Sequence, residues 1–143
     1  MSLPREIICS AFGQVLESMY FCEAIWAGPG PIPAPAIGAV IAFSGTRSGE
    51  LRILATTRLA TQLAADFLGE ELSEITGSQA QSIVHEFANV ACGAALNAWM
   101  PDGNFTLSVP ESLVPANFKE EWPHRFSISR GREELAVEFE LIP

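Results

Sequence analysis

The chain has 143 residues, of which 48% are hydrophobic and 17% are charged. This length fits one compact domain and this composition supplies a core, so we expect residues 1–143 to form a single folded domain. The 17 acidic residues outnumber the 8 basic residues and give a formal net charge of -9. That sign opposes binding to nucleic-acid phosphates or to anionic lipid. Composition therefore argues against nucleic-acid and membrane partners.

The chain also lacks the sequence features of an exported or membrane-spanning protein. Its longest mainly apolar runs, residues 34–43 and 87–96, fall well short of the roughly 20 residues that a bilayer requires. The first residues do not form an export signal. Cys9, Cys22 and Cys92 are odd in number and far apart, which favours neither a disulfide framework nor a zinc knuckle. We therefore expect a cytoplasmic protein with buried thiols.

The N-terminal segment predicts an amphipathic helix. Its apolar side chains recur every three or four residues, and Pro4 suits a first helical turn. The proline-rich segment 28–35 stops any helix and forces an extended connection. We therefore predict a first helix over residues 4 to about 26, ending near Trp26.

The next segment predicts a hairpin followed by a second helix. Residues 37–43 and 50–56 are short, partly β-branched runs separated by a polar turn. The first run is apolar on both faces, so its strand is expected inside the sheet. Thr57 is expected to cap a helix that ends at Gly69.

The C-terminal half predicts one long helix and then three strands. The helix covers residues 78 to about 100, and residues 105–109 alternate like a half-buried strand. Residues 126–128 and 135–141 alternate in the same way around the turn 129–132, which indicates a closing hairpin. The predicted order is α-β-β-α-α-β-β-β. We therefore predict an α+β fold, a mainly antiparallel sheet with helices packed on one face.

The long helix contains few residues that are not apolar, and these lie on one side. A four-three-four-four spacing forms one stripe, which consists of Ser82, Glu86, Asn89, Gly93 and Asn97. Asn and Gly inside a helix cost roughly 0.5 to 1 kcal/mol relative to Ala, so neither is present for helix stability. The stripe is either a solvent face, with Gly93 allowing close packing, or a functional face. In the functional case Glu86 anchors a cation and Asn89 holds a water.

This stripe resembles the signature of a known family. The pattern Ser82-x-x-x-Glu86-x-x-Asn89-x-x-x-Gly93, followed 21 residues after Asn89 by Pro110, is similar to that of the CheC and CheX chemotaxis phosphatases. Those proteins hydrolyse the aspartyl phosphate of CheY-type response regulators. The spacing to Pro110 is slightly shorter than in the family, while the order of predicted elements is consistent with it over nearly the whole chain.

The resemblance implies a role for each residue of the motif. Glu86 would dock to the Lys beside the receiver's phosphoryl site, and Asn89 would orient the attacking water. Ser82, Gly93 and Pro110 would lie at the partner-binding surface. The receiver would hold the Mg²⁺, so the resemblance implies no cofactor or metal of this chain's own.

The first predicted helix decides between the two branches of the family. CheC-type proteins carry the Glu-x-x-Asn motif twice, whereas CheX-type proteins carry it once. The matching stretch here reads Glu17-Ser18-Met19-Tyr20, with Tyr20 in the place of the Asn. The chain therefore resembles the single-site CheX branch, which implies a homodimer. The alternative to a phosphatase is a non-catalytic dimeric adaptor of the same fold in a signalling complex.

Two competing catalytic patterns are incomplete. The stretch that begins at His85 resembles the start of a His-Glu-x-x-His zinc helix, but the second His is missing and His124 lies in another segment. Cys92 is two turns from His85, at roughly 10 Å of helical rise, so the two cannot hydrogen-bond. Cys92 is expected in the core. Trp122 is also expected to pack rather than to serve as an exposed anchor.

Overall fold

The computed structural model describes residues 3–128 and 133–142, and its architecture confirms the predicted α+β class. Over these residues, seven strands form one antiparallel sheet, and the α-helices pack on one of its faces. The elements are α1 (Arg5–Tyr20), β1 (Ala24–Trp26), β2 (Ala36–Gly45), β3 (Ser48–Thr56), α2 (Thr57–Leu68), α3 (Gly77–Trp99), β4 (Phe105–Leu107), β5 (Glu111–Leu113), β6 (His124–Ile128) and β7 (Glu134–Ile142).

The strand order is β1-β6-β7-β3-β2-β4, and β5 also pairs with β2. The first hairpin is present as β2 and β3, each longer than predicted. Because β2 pairs with β3 on one side and with β4 and β5 on the other, its predicted place inside the sheet is confirmed. The closing hairpin is present as β6 and β7, while its predicted turn, residues 129–132, lies outside the described residues. Strands β1 and β5 were not predicted.

Both faces of the sheet are covered, but by different parts of the chain. Leu51 and Ile53 of β3 point to the helices and belong to the main core. Leu54 points the other way, into a smaller cluster that contains Trp122. Trp122 has no exposed surface, which confirms the prediction that it packs. Among the described residues, no helix combines the length and the apolar character needed to cross a bilayer.

Helix α1 ends at Tyr20, so the prediction that it continues to about Trp26 is wrong. Phe21 adopts the left-handed conformation with φ 54°, and its N–H donates to the carbonyl of Leu16 to close the helix. The chain then extends as β1, where Trp26 pairs with β6. Backbone pairing with a distant strand overrides the local helical pattern here.

The start of α2 also differs from its prediction. Thr57 is the first helical residue, and Thr56 is the N-cap without a side-chain capping bond. The Thr56 hydroxyl instead donates to the carboxylate of Glu133 at 2.5 Å, where both residues are buried. The predicted end at Gly69 is confirmed, because that residue adopts φ 68° after the last helical turn.

The predicted strand 105–109 is shorter than expected. It ends at Leu107, and Val109 is 83% exposed instead of half-buried. The physical reason is a bulge in the edge of the sheet. Leu107 pairs with Phe43 and Glu111 pairs with Val40, so three residues, 108–110, lie opposite two residues of β2. Strands β4 and β5 are thus two halves of one bulged edge strand.

Candidate functional site

The site is built on α3, whose predicted extent is confirmed. The helix begins with a capping box, in which the N–H of Gln79 donates to the Thr76 hydroxyl at 3.1 Å and the Gln79 side chain accepts from the Thr76 N–H at 2.9 Å. It ends just before Pro101, with the Met100 N–H donating to the carbonyl of Leu96. One side of the helix is packed against the core along most of its length, and these residues are buried: Ala80, Ile83, Val84, Phe87, Ala88, Ala91, Cys92, Ala95 and Leu96. This packing fixes the orientation of its remaining face.

The stripe expected from the spacing lies on that remaining face. Ser82, Glu86, Asn89 and Asn97 are exposed and Gly93 is partly buried. A solvent face and a functional face both require this exposure, so the neighbours of each side chain must distinguish the two.

Glu86 and Asn89 line one shallow cavity of about 390 Å³ together with Ser82 and His85 of α3. The opposite wall of this cavity is formed by residues 107–110, the end of β4 and the bulge. Pro110 therefore lies beside the two motif residues despite its shorter spacing. Gly93 does not line this cavity.

Gly93 lines a neighbouring cavity of about 300 Å³ with Asn97, further along the same helix face. A Cβ atom at position 93 would find Leu107 Cδ1 at 3.9 Å as its nearest neighbour, an ordinary van der Waals distance. Close packing of another element therefore does not require glycine here, and that explanation of Gly93 is wrong.

The two motif side chains have unused hydrogen-bonding capacity. Within residues 3–128 and 133–142, neither the carboxylate of Glu86 nor the carboxamide of Asn89 makes a hydrogen bond or an ion pair. The two residues are three positions apart on one helix, which makes them neighbours on its surface. They present one anionic acceptor and one amide with both donors and an acceptor to any molecule that enters the cavity.

The sequence patterns did not identify Ser108, which lines this cavity, or Ser112, which lies just beyond it. Ser108 holds the start of the bulge on β2, because its N–H donates to the carbonyl of Ala42 at 2.8 Å and its Oγ accepts from the Ala42 N–H at 2.9 Å. His85 lies 3.2 Å, Nε2 to Oγ, from Ser112 of β5. The position of Ser112 depends on the bulge, which arises from pairing with a distant strand and has no local signal beyond Pro110.

The competing catalytic patterns do not form sites. Partial burial lowers the pKa of His85 below its ordinary value. Cys92 is fully buried, and burial raises the pKa of its thiol to about 12, which confirms the expected core thiol and keeps it protonated. Over the described part of the chain, no group of three or more His, Cys, Asp or Glu side chains could hold a metal ion.

The first helix does not repeat the site. Glu17 is exposed, but Tyr20, in the place of the second Asn, is fully buried. The Tyr20 ring contacts Phe67 and Phe87, with centroids 6.2 and 5.9 Å apart. Burial, with a smaller contribution from the charge of Glu86, raises the pKa of Tyr20 to about 12. Tyr20 thus packs in the core against Phe87, the residue after Glu86, and presents no amide to solvent.

An apolar groove adjoins the cavity on its other side. It lies between α2 and α3, encloses about 400 Å³, and is lined among others by Phe67, Leu68 and Ile83. Ser82 and Glu86 line both the groove and the cavity. The polar pair is therefore bordered by apolar surface at the groove and by exposed Val109 at the bulge.

Comparison with known proteins agrees with this architecture. A family model described as chemotaxis phosphatase CheX matches residues 37–139. The crystal structure of a chemotaxis protein CheX from Desulfovibrio desulfuricans has a TM-score of 0.70 and 19% identity, over 96% of this chain and 97% of its own. A chain of the CheX-CheY-BeF3-Mg²⁺ complex from Borrelia burgdorferi has a TM-score of 0.74 and 17% identity, over 96% and 97%. FliY from Thermotoga maritima has a TM-score of 0.61 and 14% identity, over 96% and 91%. No curated protein sequence matches the chain.

Proposed function

This chain belongs to the chemotaxis phosphatase CheX family, and we propose that it hydrolyses the aspartyl phosphate of a CheY-type response regulator. The observation that carries the proposal is the pair formed by Glu86 and Asn89. Both side chains are exposed, lack a partner within the described residues, and face one cavity on the open side of a helix whose opposite side is packed. A relative from Borrelia burgdorferi forms a complex that contains CheY, BeF3 and Mg²⁺, which supports the choice of partner.

The proposed reaction requires positioning more than new covalent chemistry. Water attacks phosphorus, the bond from phosphorus to the aspartyl oxygen breaks, and the aspartate leaves as a carboxylate while inorganic phosphate keeps the proton released by the water. Phosphoryl transfer of this kind depends mainly on alignment and on electrostatic stabilisation. A carboxamide that holds the water in line supplies the alignment without a strong base.

We assign the two roles as follows. Asn89 enters the receiver's phosphorylation site, where its carbonyl and N–H groups orient the attacking water. Glu86, one helical turn earlier, pairs with the Lys beside the phosphoryl group and fixes the register of docking. Ser82 and Pro110 border the pair and contact the receiver, and Gly93 lies one turn beyond Asn89, where a missing side chain lets the receiver approach α3.

The receiver supplies the metal in this scheme. Its Mg²⁺ neutralises the developing charge on the phosphoryl oxygens, and this chain contributes the Asn89 amide and the Glu86 carboxylate. The resemblance to the single-site CheX branch also implies a homodimer, which would have one catalytic face on each copy. Each copy would then act on its own receiver.

Loss of phosphate from a phosphorylated receiver in the presence of Mg²⁺ tests the proposal. We expect Asn89→Ala to lower kcat at least about 100-fold, because the water is no longer held in line. Glu86→Ala should mainly raise KM, because the docking contact to the Lys is lost. Asn97→Ala is the matched control, since it removes the same amide from the same face of α3 but outside the cavity.

The possible outcomes separate the phosphatase from the adaptor. If the wild-type protein does not accelerate the receiver's own decay but binds the phosphorylated receiver, the chain is a non-catalytic adaptor and the proposed reaction is wrong. If Asn97→Ala lowers kcat as much as Asn89→Ala, the assignment of the water to Asn89 is wrong.

A further inference from the structure

The wall opposite Glu86 and Asn89 is an unusual part of the sheet. It is the bulge at residues 108–110, in an edge strand whose described halves, β4 and β5, pair only with β2 over three residues each. Val109 in this bulge is 83% exposed. A short edge segment with an extra residue has few backbone contacts to hold it in place. Its position must therefore be set by other bonds.

The bulge changes which side chains face α3. Leu107 pairs with Phe43 and packs against the main core on the helix side of the sheet. If the strand continued from Leu107 in regular register, Leu113 would pair with Ile37 and lie on that same side, because alternate residues of a strand share a face. Instead Leu113 joins the cluster on the opposite side, and Ser112 pairs with Ala39 of the helix side.

Ser112 then bonds to the helix that carries the motif. His85 Nε2 and Ser112 Oγ are 3.2 Å apart, and His85 directly precedes Glu86. At the other end of the bulge, the two bonds between Ser108 and Ala42 hold the chain on β2. The segment formed by exposed Val109 and half-buried Pro110 is thus fixed to β2 at its start and to α3 after its end.

We propose that His85 and Ser112 are positioning residues of the phosphatase site. Their hydrogen bond sets the separation between the bulge and the Glu86–Asn89 pair. The cavity between these two walls therefore has the width that docking requires before the receiver binds. This inference rests on the proposed function. A preformed cavity improves docking because fewer residues have to become ordered when the receiver binds. The proposed mechanism assigns the water to Asn89 and not to His85 or Ser112, so the chemical step itself does not involve this bond.

The inference predicts a split between KM and kcat. Ser112→Ala and His85→Leu each remove the bond, and each should raise KM for the phosphorylated receiver about two- to fivefold, the effect of one solvent-exposed hydrogen bond. The kcat should stay within about twofold. The double variant should be no worse than either single variant, because both changes remove the same bond. His85→Gln, which retains a polar side chain that can reach Ser112, should keep KM close to the wild-type value.

Ser18→Ala is the matched control. It also removes one serine hydrogen bond, from Ser18 to the carbonyl of Gln14 at 2.7 Å, but on α1. A general loss of folded protein lowers the apparent kcat and leaves KM unchanged, so the two explanations give different results.

Each result decides the inference. A raised KM in both single variants, no further loss in the double variant and no change in Ser18→Ala support it. If the wild type hydrolyses the phosphorylated receiver while Ser112→Ala leaves KM unchanged or lowers only kcat, the inference is wrong and the proposed function stands. If the wild type does not hydrolyse it, both are wrong.

Discussion

Replacing Gly93 by alanine tests the reasoning about the α3 surface, because stability and docking should respond in opposite directions. Gly93 lies inside a regular helix, and a Cβ atom there would meet only Leu107 Cδ1, at 3.9 Å. A glycine inside a helix costs about 1 kcal/mol relative to alanine. Gly93→Ala should therefore raise the free energy of unfolding by about 1 kcal/mol and Tm by about 3 °C for a chain of this size. The added methyl group lies on the proposed docking face, so KM for the phosphorylated receiver should rise.

Gly13→Ala is the control for this prediction. Gly13 lies inside α1, where a Cβ atom would find no heavy atom within 4 Å, so the same gain in stability is expected with no change in KM. Urea unfolding and steady-state hydrolysis measure the two effects. A loss of stability in Gly93→Ala would refute the argument that the site has room for a methyl group. A gain in stability with unchanged KM would remove Gly93 from the docking surface.

Three further predictions concern buried groups. The phenolic oxygen of Tyr20 is buried without a partner among the described residues, so Tyr20→Phe should raise unfolding free energy by about 1 kcal/mol; a clear loss would show that the hydroxyl is bonded. Cys92, with its pKa raised to about 12 by burial, should resist alkylation at pH 8 until the protein unfolds, and rapid labelling of the native protein would contradict this. Burial lowers the pKa of His85 and, with the charge of Arg5, that of His124 below the ordinary 6.5. As pH falls, the unfolded chain binds protons at these histidines before the folded protein does. Their contribution to the free energy of unfolding is therefore complete above about pH 6.5 and is lost as pH falls below it. Urea midpoints at pH 7 and 5.5 should differ less in a variant with Gln at both positions.

The parts of the fold that the sequence predicts are those with local signals. Helix α3 follows from a long periodic pattern that stops before Pro101, and the stripe on its surface follows from residue spacing alone. The hairpin of β2 and β3 follows from two adjacent apolar runs around a polar turn. These elements place Glu86 and Asn89 on one exposed face before any tertiary contact is considered.

The parts that could not be predicted depend on pairing between distant residues. Strand β1 has three residues that continue a helical pattern, and it becomes extended only because β6 pairs with it. The bulge is set by the register of β4 and β5 on β2, whose paired residues lie at least 60 positions earlier in the chain. The contact from His85 to Ser112 spans 27 positions and requires the bulge to turn Ser112 toward α3. Local periodicity carries no information on such contacts.

The charge distribution explains why the positions of the α3 face and of the bulge must be accurate under the proposed function. With a net charge of -9, the chain repels an acidic phosphorylation site at long range, and Asp66, Glu70, Glu71 and Glu74 cluster on a different side of α2 from the apolar groove. Under the proposed function, docking therefore depends on short-range contacts, namely one carboxylate, one carboxamide and the apolar surface beside them. Short-range contacts discriminate only when their positions are fixed. The packed faces of α3 fix one wall of the cavity and the bonds of the bulge fix the other, so under the proposed function both walls already have the positions that docking requires.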